Sequence, residues 1–500
     1  MKASSGGKHE ILKQAGIYSL GTQMTQFITL IAAILSRRFL GPAQTGIWAA
    51  LQIIVDYSKY STLGTMDAAS REIPTAIGRG DQAAADRIKN LTFTFVTSSS
   101  CVISVLIFLS ALLLQPWLSR QMTYGLYFVA GVVFLQRLNN LFVATLRCYK
   151  QFQTEALFML LSAVVNALLV AFLTYYFKIY GFIWALILSF VFNISYLHFS
   201  YAYRFKWIVD WKQIKPLMSY GLPLMALGVI VTVLKSLDKI LIAKLLGFES
   251  LGFYSIALMA CSYLGNFAIS VSIVLLPYSQ EKYGQSGQAH DLGAFLLKSS
   301  KAYALSLPFL IGMAWFFVPL AIWLVLPKFT QGTLAMKILT LNLYFVAQMQ
   351  PFHDYLITIK KHARLFPLLG VLCVAAVAAD FLAIRLGLGI EGVAAATVIV
   401  FFGYFTAVFF MAGQYFSRES GHLTHYLKIC AIFVYMATVL FLLQGDFLKS
   451  PSQDILFYVV RVFVYLVAYL PLLVWLNREV QFWHVFSQKL SKFFKKAKVL

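Results

Sequence analysis

Charged side chains are scarce in this chain, at 12% of its 500 residues. A soluble domain carries about 25%. With 60% hydrophobic residues, that scarcity excludes a soluble globular fold. Acids are scarcer than bases, 19 against 41 Lys and Arg. Glycine and proline, 30 and 13, are too few for a low-complexity chain. Long polar stretches are missing too. No gap between apolar segments could hold a separate soluble domain, which takes about 50 residues or more. No short apolar segment with a small-residue cleavage site follows the basic Met1–Lys13 stretch. The first helix is therefore expected to be retained.

Chemical signatures are also absent. Without a GxxxxGK run ending in Ser or Thr, no built-in nucleotide hydrolysis is expected. HExxH and GxSxG do not occur. The five cysteines (Cys101, Cys148, Cys261, Cys373, Cys430) lie in or beside apolar segments and form no CxxC or CxxH pair. They read as inert small hydrophobes, with no disulfide framework, metal site or cofactor. The chain is not expected to be an enzyme. Transport energy would come from an ion gradient, the membrane potential or consumption of the product.

What is present is a series of apolar blocks of about 18 to 25 residues, each able to cross roughly 30 Å of hydrocarbon. Fourteen spans are expected. The first six cover 14–36, 44–65, 91–114, 122–146, 154–177 and 181–203. The next six cover 217–237, 250–276, 298–326, 333–356, 366–385 and 390–412, and the last pair 425–443 and 455–476. The net charge of +22 then records a positive-inside bias rather than nucleic-acid binding. A cytoplasmic N-terminus puts most loop cations inside, among them Arg71, Arg79, Arg87, Lys89, Arg147, Lys150, Arg204, Lys206, Lys212 and Lys215. An even number of spans returns the C-terminus to the same side.

One motif occurs twice. Leu40–Trp48 reads LGPAQTGIW and Leu246–Tyr254 reads LGFESLGFY, 206 positions later. Both are Leu-Gly, four residues, Gly, an apolar residue and an aromatic. Arg137, Asn140 and Arg147 of the fourth span are likewise followed, 213 positions later, by Gln350, His353 and Lys360 of the tenth. Six plus six spans in one order make a parallel repeat. The expected domains are an N-lobe over 1–210, a C-lobe over 211–415, spans thirteen and fourteen over 416–477, and a tail over 478–500. Both motif copies fall on the outer side, where their glycines would allow a tight turn or close packing.

Polar groups inside spans are costly and so are functional candidates. Ser19, Gln23, Gln26 and Arg37 line one face of the first span, and Thr22, Thr25, Thr29 and Ser36 another. They fit cavity lining or interhelical hydrogen bonding equally. Arg37 and Arg38 can also snorkel outward. Gln52, Asp56 and Lys59 share a face of the second span, where Asp56 and Lys59 can pair. Arg137 lies mid-helix in the fourth span, about 15 Å along the axis from Arg147. It is too deep for easy snorkelling and suits phosphate bidentately. Lys235, Asp238 and Lys239 end the seventh span, near Thr232, with Pro223 offering a kink. His353 beside Asp354 in the tenth span can serve as a proton site or as a satisfied core pair. Asp380, Arg385 and Arg461 are weaker candidates, and Arg461 could tie the last helix pair to the bundle. The tail sets Trp483, Phe486, Leu490 and Phe493 against a lysine-rich remainder, an interfacial helix favouring anionic lipid.

The six-six-two arrangement with LGPxxxGxW after the first helix resembles the polysaccharide transporter branch of the multidrug/oligosaccharidyl-lipid/polysaccharide exporter superfamily. These are the O-antigen and exopolysaccharide repeat-unit flippases. The resemblance implies an all-α polytopic protein of the bacterial plasma membrane. By alternating access between two lobes it would move undecaprenyl-pyrophosphate-linked oligosaccharide from the inner to the outer leaflet. Arg37, Gln23, Gln26, Arg137, Asn140, Lys235 and Lys239 would bind substrate, and Asp56, Lys59, Asp238, His353 and Asp354 would couple ions or gate. Polysaccharide polymerase and export machinery are the implied partners. The lipid II flippase branch carries an arginine-rich first helix that this sequence lacks. Two rivals remain: an ion-coupled exporter of cationic drugs on the same fold, and a membrane glycan polymerase. The first wants an acidic cavity and the second a large extramembrane loop.

Overall fold

The computed structural model describes residues 5–200, 204–265, 292–359, 361–416, 421–444 and 451–480, all helices, short 3-10 turns and connecting loops. The helices are α1 (Ser5–Ser58), α2 (Thr65–Gly78), α3 (Gln82–Leu114), α4 (Arg120–Cys148), α5 (Phe152–Ser200), α6 (Trp211–Leu234) and α7 (Leu237–Leu245). They continue with α8 (247–265). Then come α9 (Gly293–Val325), α10 (Thr333–Thr358), α11 (Leu365–Arg385), α12 (Gly389–Gly413), α13 (His422–Leu442) and α14 (Pro451–Val480). Among the described residues, eight are long and apolar enough to cross a membrane, or nine if the bent pair across residue 220 is one span. The chain is an all-α, multi-pass membrane protein.

Two long elements each hold two expected spans. α1 breaks at Gly41, whose φ of 73° and ψ of 176° are not helical. Glycine takes positive φ without the Cβ penalty, and Pro42 then starts the next segment. α5 breaks at Lys178. Beyond it the chain folds back on itself. Asn166 donates to the Ser189 hydroxyl at 3.1 Å, and a Cβ on Gly181 would overlap the Leu173 carbonyl. Short amphipathic α2, absent from the sequence expectation, buries Ala68, Ala69, Ile73 and Ala76 and exposes Arg71 and Glu72. Its apolar residues recur at helical spacing.

The chain forms two compact units, Met1–Gly252 and Phe253–Leu500. In the first, α1 packs on α5, α4 and α7, while α2 meets α3 and α6. Leu51, Val129, Val133 and Ile183, all 2% exposed or less, centre its core. Residues 211–252, second half by sequence repeat, thus pack with the first unit. In the second, α10 packs on α9 and α12, and α14 on α9. Phe345 meets Phe405 and Phe352 meets Phe409 between α10 and α12. The α14–α9 contact is made by tyrosines. Tyr458, Tyr465 and Tyr469 donate to the carbonyls of Phe316, Pro308 and Leu305. Gly312 leaves room for the Tyr465 ring. Arg461, expected to hold the last pair, has no hydrogen bond or ion pair among the described residues. Neutral hydroxyls tie the helices without desolvating a charge.

The two motif copies meet each other inside the first unit. A Cβ built on Gly46 would overlap the Phe248 carbonyl, and one on Gly252 would overlap the Pro42 carbonyl. In each copy the second glycine faces the third-position carbonyl of the other. The first glycines, Gly41 and Gly247, both have positive φ, 73° and 88°. One glycine per copy makes the turn, and the other lets the backbones touch.

Candidate functional site

The site builds from the end of α1 and the end of α6. Tyr57 and Ser236 share a hydrogen bond of 2.7 Å. Tyr60 bonds the Thr232 hydroxyl at 2.5 Å and donates to the Gly228 carbonyl. Gly64, with φ of 75°, backs onto Gly221, where a Cβ on either would overlap the other's backbone. These ties bring Lys59 within electrostatic reach of Lys235, which also feels Lys239. Lys59 lies over the Tyr60 ring at 4.9 Å. Lys235 is exposed.

One turn before Lys59, Asp56 bears electrostatically on Arg137 of α4. Arg137 is only 7% exposed. It donates one bond, to the neighbouring Gln136 side chain at 3.0 Å. No carboxylate lies within 4.0 Å of it among the described ion pairs, and its buried Nε has no hydrogen-bond partner. A buried cation without a close counter-ion carries a large desolvation cost, and an anionic ligand would offset it. Among the described residues, Lys59 and Lys239 act electrostatically on Lys235 and Asp56 acts on Arg137, with Asp238 the neighbouring acid in the first turn of α7. The cluster is therefore net positive and chemically suited to phosphate.

Some expected pairings are replaced. Asp56 does not pair with Lys59; it accepts from Gln52 at 3.0 Å, four residues back. The amide is the nearer donor on that face, leaving the ammonium free to turn over the Tyr60 ring. Asp238, 6% exposed, accepts from the Lys239 backbone N–H at 2.7 Å, satisfying an orphan donor of the first turn of α7. Arg147 is drawn away from Arg137 by fully buried Glu155, at 2.6 Å.

Gln23 is exposed and Gln26 half-buried, and neither has a hydrogen bond to the cationic cluster. Arg37 donates to the Ala33 carbonyl of its own helix at 3.0 Å. Asn140 is half-buried on α4. His353 and Asp354 belong to the second unit. Their Nδ1–Oδ1 separation is 3.9 Å, and Asp354 accepts from Gln350 at 3.0 Å. Ser19's side chain, Lys360 and residues 481–500 of the tail lie outside the described residues. Sequence reasoning missed Tyr57 and Tyr60. The available signal was Tyr60 four residues after Asp56, on the same face.

Comparisons with known proteins bear on this arrangement. A multidrug resistance MATE transporter of the MOP superfamily, inward-facing, aligns with a TM-score of 0.64 at 16% identity, over 81% of this chain and 95% of its own. The lipid II flippase MurJ, inward closed, also gives 0.64, at 15% identity over 93% and 99%. A MOP superfamily transporter from Pyrococcus furiosus, described as having a binding pocket of reverse polarity, gives 0.57 at 15% identity over 84% and 96%. At such identities these likenesses show a shared fold. No curated protein sequence matches significantly. Residues 34–327 match the family model described as polysaccharide biosynthesis protein. More than half of the sequence, including both motif copies and the whole cationic cluster, thus falls within one family, and the chain belongs to the polysaccharide biosynthesis protein family.

Proposed function

We propose that this protein is a flippase for lipid-linked oligosaccharide repeat units in a bacterial plasma membrane. It would carry the undecaprenyl-pyrophosphate-linked unit from the inner to the outer leaflet by alternating access between two six-span repeats, both termini cytoplasmic. The observation that carries the reading is Arg137, buried, cationic and, among the described residues, with no carboxylate within 4.0 Å. Lys59, Lys235 and Lys239 would extend the attraction along the pyrophosphate. Arg137 can give the bidentate contact, and Asp56 would keep its field from trapping the anion. Asp238, His353 and Asp354 are the groups we assign to coupling or gating. The family's polysaccharide description fits a glycan-bearing substrate. The fold is shared with MurJ, by its name a lipid II flippase, which supports a lipid-linked cargo.

The rival reading, an exporter of cationic drugs, follows from the MATE likeness. A net-positive cluster disfavours it, because a cationic drug would be repelled. The Pyrococcus furiosus transporter's reverse pocket polarity is described as suggesting a different function. The sign of the site separates the two readings of this chain in the same way.

The test is Arg137→Gln in a strain whose surface polysaccharide depends on this gene, at matched protein levels. Losing a charge-assisted contact worth about 1.5–3 kcal/mol should cut export roughly 10- to 100-fold. Normal export by the variant would remove Arg137 from the mechanism. Drug resistance conferred by the wild-type protein would favour the rival.

A further inference from the structure

Residues 204–210 of the connection between α5 and α6 are not slack. Their backbone runs without helix and is fastened to α3 at three points. The Lys206 N–H donates to the Asn90 side chain at 3.1 Å. The Ile208 N–H donates to the Thr94 hydroxyl at 3.0 Å. Arg87 donates to Asp210 at 2.9 Å. Asn90 and Thr94 are buried, at 7% and 5% exposure, so these anchors lie beneath the strap. Phe205 adds packing, with ring centroids 4.7 Å from Phe93 and 4.8 Å from Phe142.

With its backbone held, the strap presents a fixed outer face. Trp207, Val209 and Trp211 are 62%, 71% and 67% exposed. Arg204, Lys206, Lys212 and Lys215 are exposed among them. The strap's own acid, Asp210, is already engaged by Arg87, and Asp86 of α3, which Lys206 also feels, is held by Lys89. Water would not favour two open indole rings, one on the ordered loop with an edge contact to Phe93 and one opening α6, and lysines would be out of place in hydrocarbon. Indoles with cations match the headgroup level of a bilayer. The depth follows from its neighbours: the strap runs straight into α6 at Trp211 and follows in sequence the membrane-spanning α5, which ends at Ser200.

We propose that this strap is a docking surface for anionic phospholipid headgroups, its indoles seated among them and its cations on their phosphates. Each cation near an anionic surface favours association about fivefold, so Lys206, Lys212 and Lys215 together supply roughly a hundredfold.

The test uses full-length protein in vesicles containing either brominated phosphatidylglycerol or brominated phosphatidylcholine at equal mole fraction. The strap signal is the tryptophan fluorescence of wild type minus that of a Trp207→Phe, Trp211→Phe variant. Stronger quenching of this difference by the glycerol lipid is expected. Lys206→Gln, Lys212→Gln, Lys215→Gln should abolish that preference while both lipids still quench. These lysines are exposed, and a wild-type elution profile checks the variant's fold. Equal quenching by both lipids in the unsubstituted protein overturns the headgroup assignment. Absence of quenching by either overturns the membrane assignment and favours a soluble partner on this face.

Discussion

The reciprocal contact of the duplicated motif makes a quantitative prediction about Gly46→Ala. In an unobstructed helix interior, alanine is favoured over glycine by roughly 0.5–1 kcal/mol. At Gly46 the added methyl would lie 2.6 Å from the Phe248 carbonyl carbon and 3.0 Å from the Gly252 nitrogen. Both obstacles are backbone, so no rotamer change clears them. The Phe248 carbonyl oxygen itself would overlap the methyl, so ordinary contact requires the segments to part by roughly 1.5–2 Å, an overpacking cost at the upper end of the usual range, about 3 kcal/mol. A net loss of about 2 kcal/mol is expected. Gly252→Ala should behave alike, since its methyl would lie 2.6 Å from the Pro42 carbonyl carbon. The double substitution should cost less than the sum, because one methyl already opens the seam for the other. The assay is thermal unfolding in detergent, followed by tryptophan fluorescence. Trp48 is a local reporter, packed edge-on against Phe182 at 4.9 Å. Gly131→Ala is the control, with nothing within 4 Å of where its methyl would lie, and should be neutral or slightly stabilising. Equal stability of Gly46→Ala and Gly131→Ala, or strict additivity of the pair, would refute the reasoning.

Other outcomes follow from the packing. Arg147→Ala leaves fully buried Glu155 without its closest cation and should cost about 3 kcal/mol, seen as a lower unfolding midpoint that added salt barely changes. Tyr465→Phe keeps the ring against Gly312 but loses one hydrogen bond, about 1 kcal/mol. Tyr465→Ala also empties the space and should cost about 3–5 kcal/mol. Limited proteolysis of α14 would rank the two, and equal susceptibility would contradict the clasp.

Much of the fold is legible from the sequence because its cause is local. Apolar runs announce the membrane helices, and Gly41 followed by Pro42 announces the break in α1. The repeat is visible because its glycines serve backbone geometry, which admits few alternatives. Pairing is less legible. Three-residue spacing puts Asp56 near Lys59 and Lys235 near Asp238, but it reports a shared face and not what lies opposite. Gln52 takes Asp56, and Tyr57 and Tyr60 take the end of α6. Arg137 stood out because its depth follows from counting along one helix. Its lack of a close carboxylate emerges only from three-dimensional packing. Lys89 looked like a loop charge, and it is buried. Lys89 is held by Asp86, which Tyr149 also contacts, a convergence of α3 and α4 that no local pattern records.

The stitched strap has a consequence for assembly. A connection that can straighten lets one molecule lend its second half to another, the usual route to exchanged dimers. Here Asn90, Thr94 and Arg87 hold the connection against the half it has just left. Reaching a second molecule would mean breaking all three bonds and pulling Phe205 from between two rings. These anchors thus weigh against exchange and favour residues 211–252 packing within their own chain.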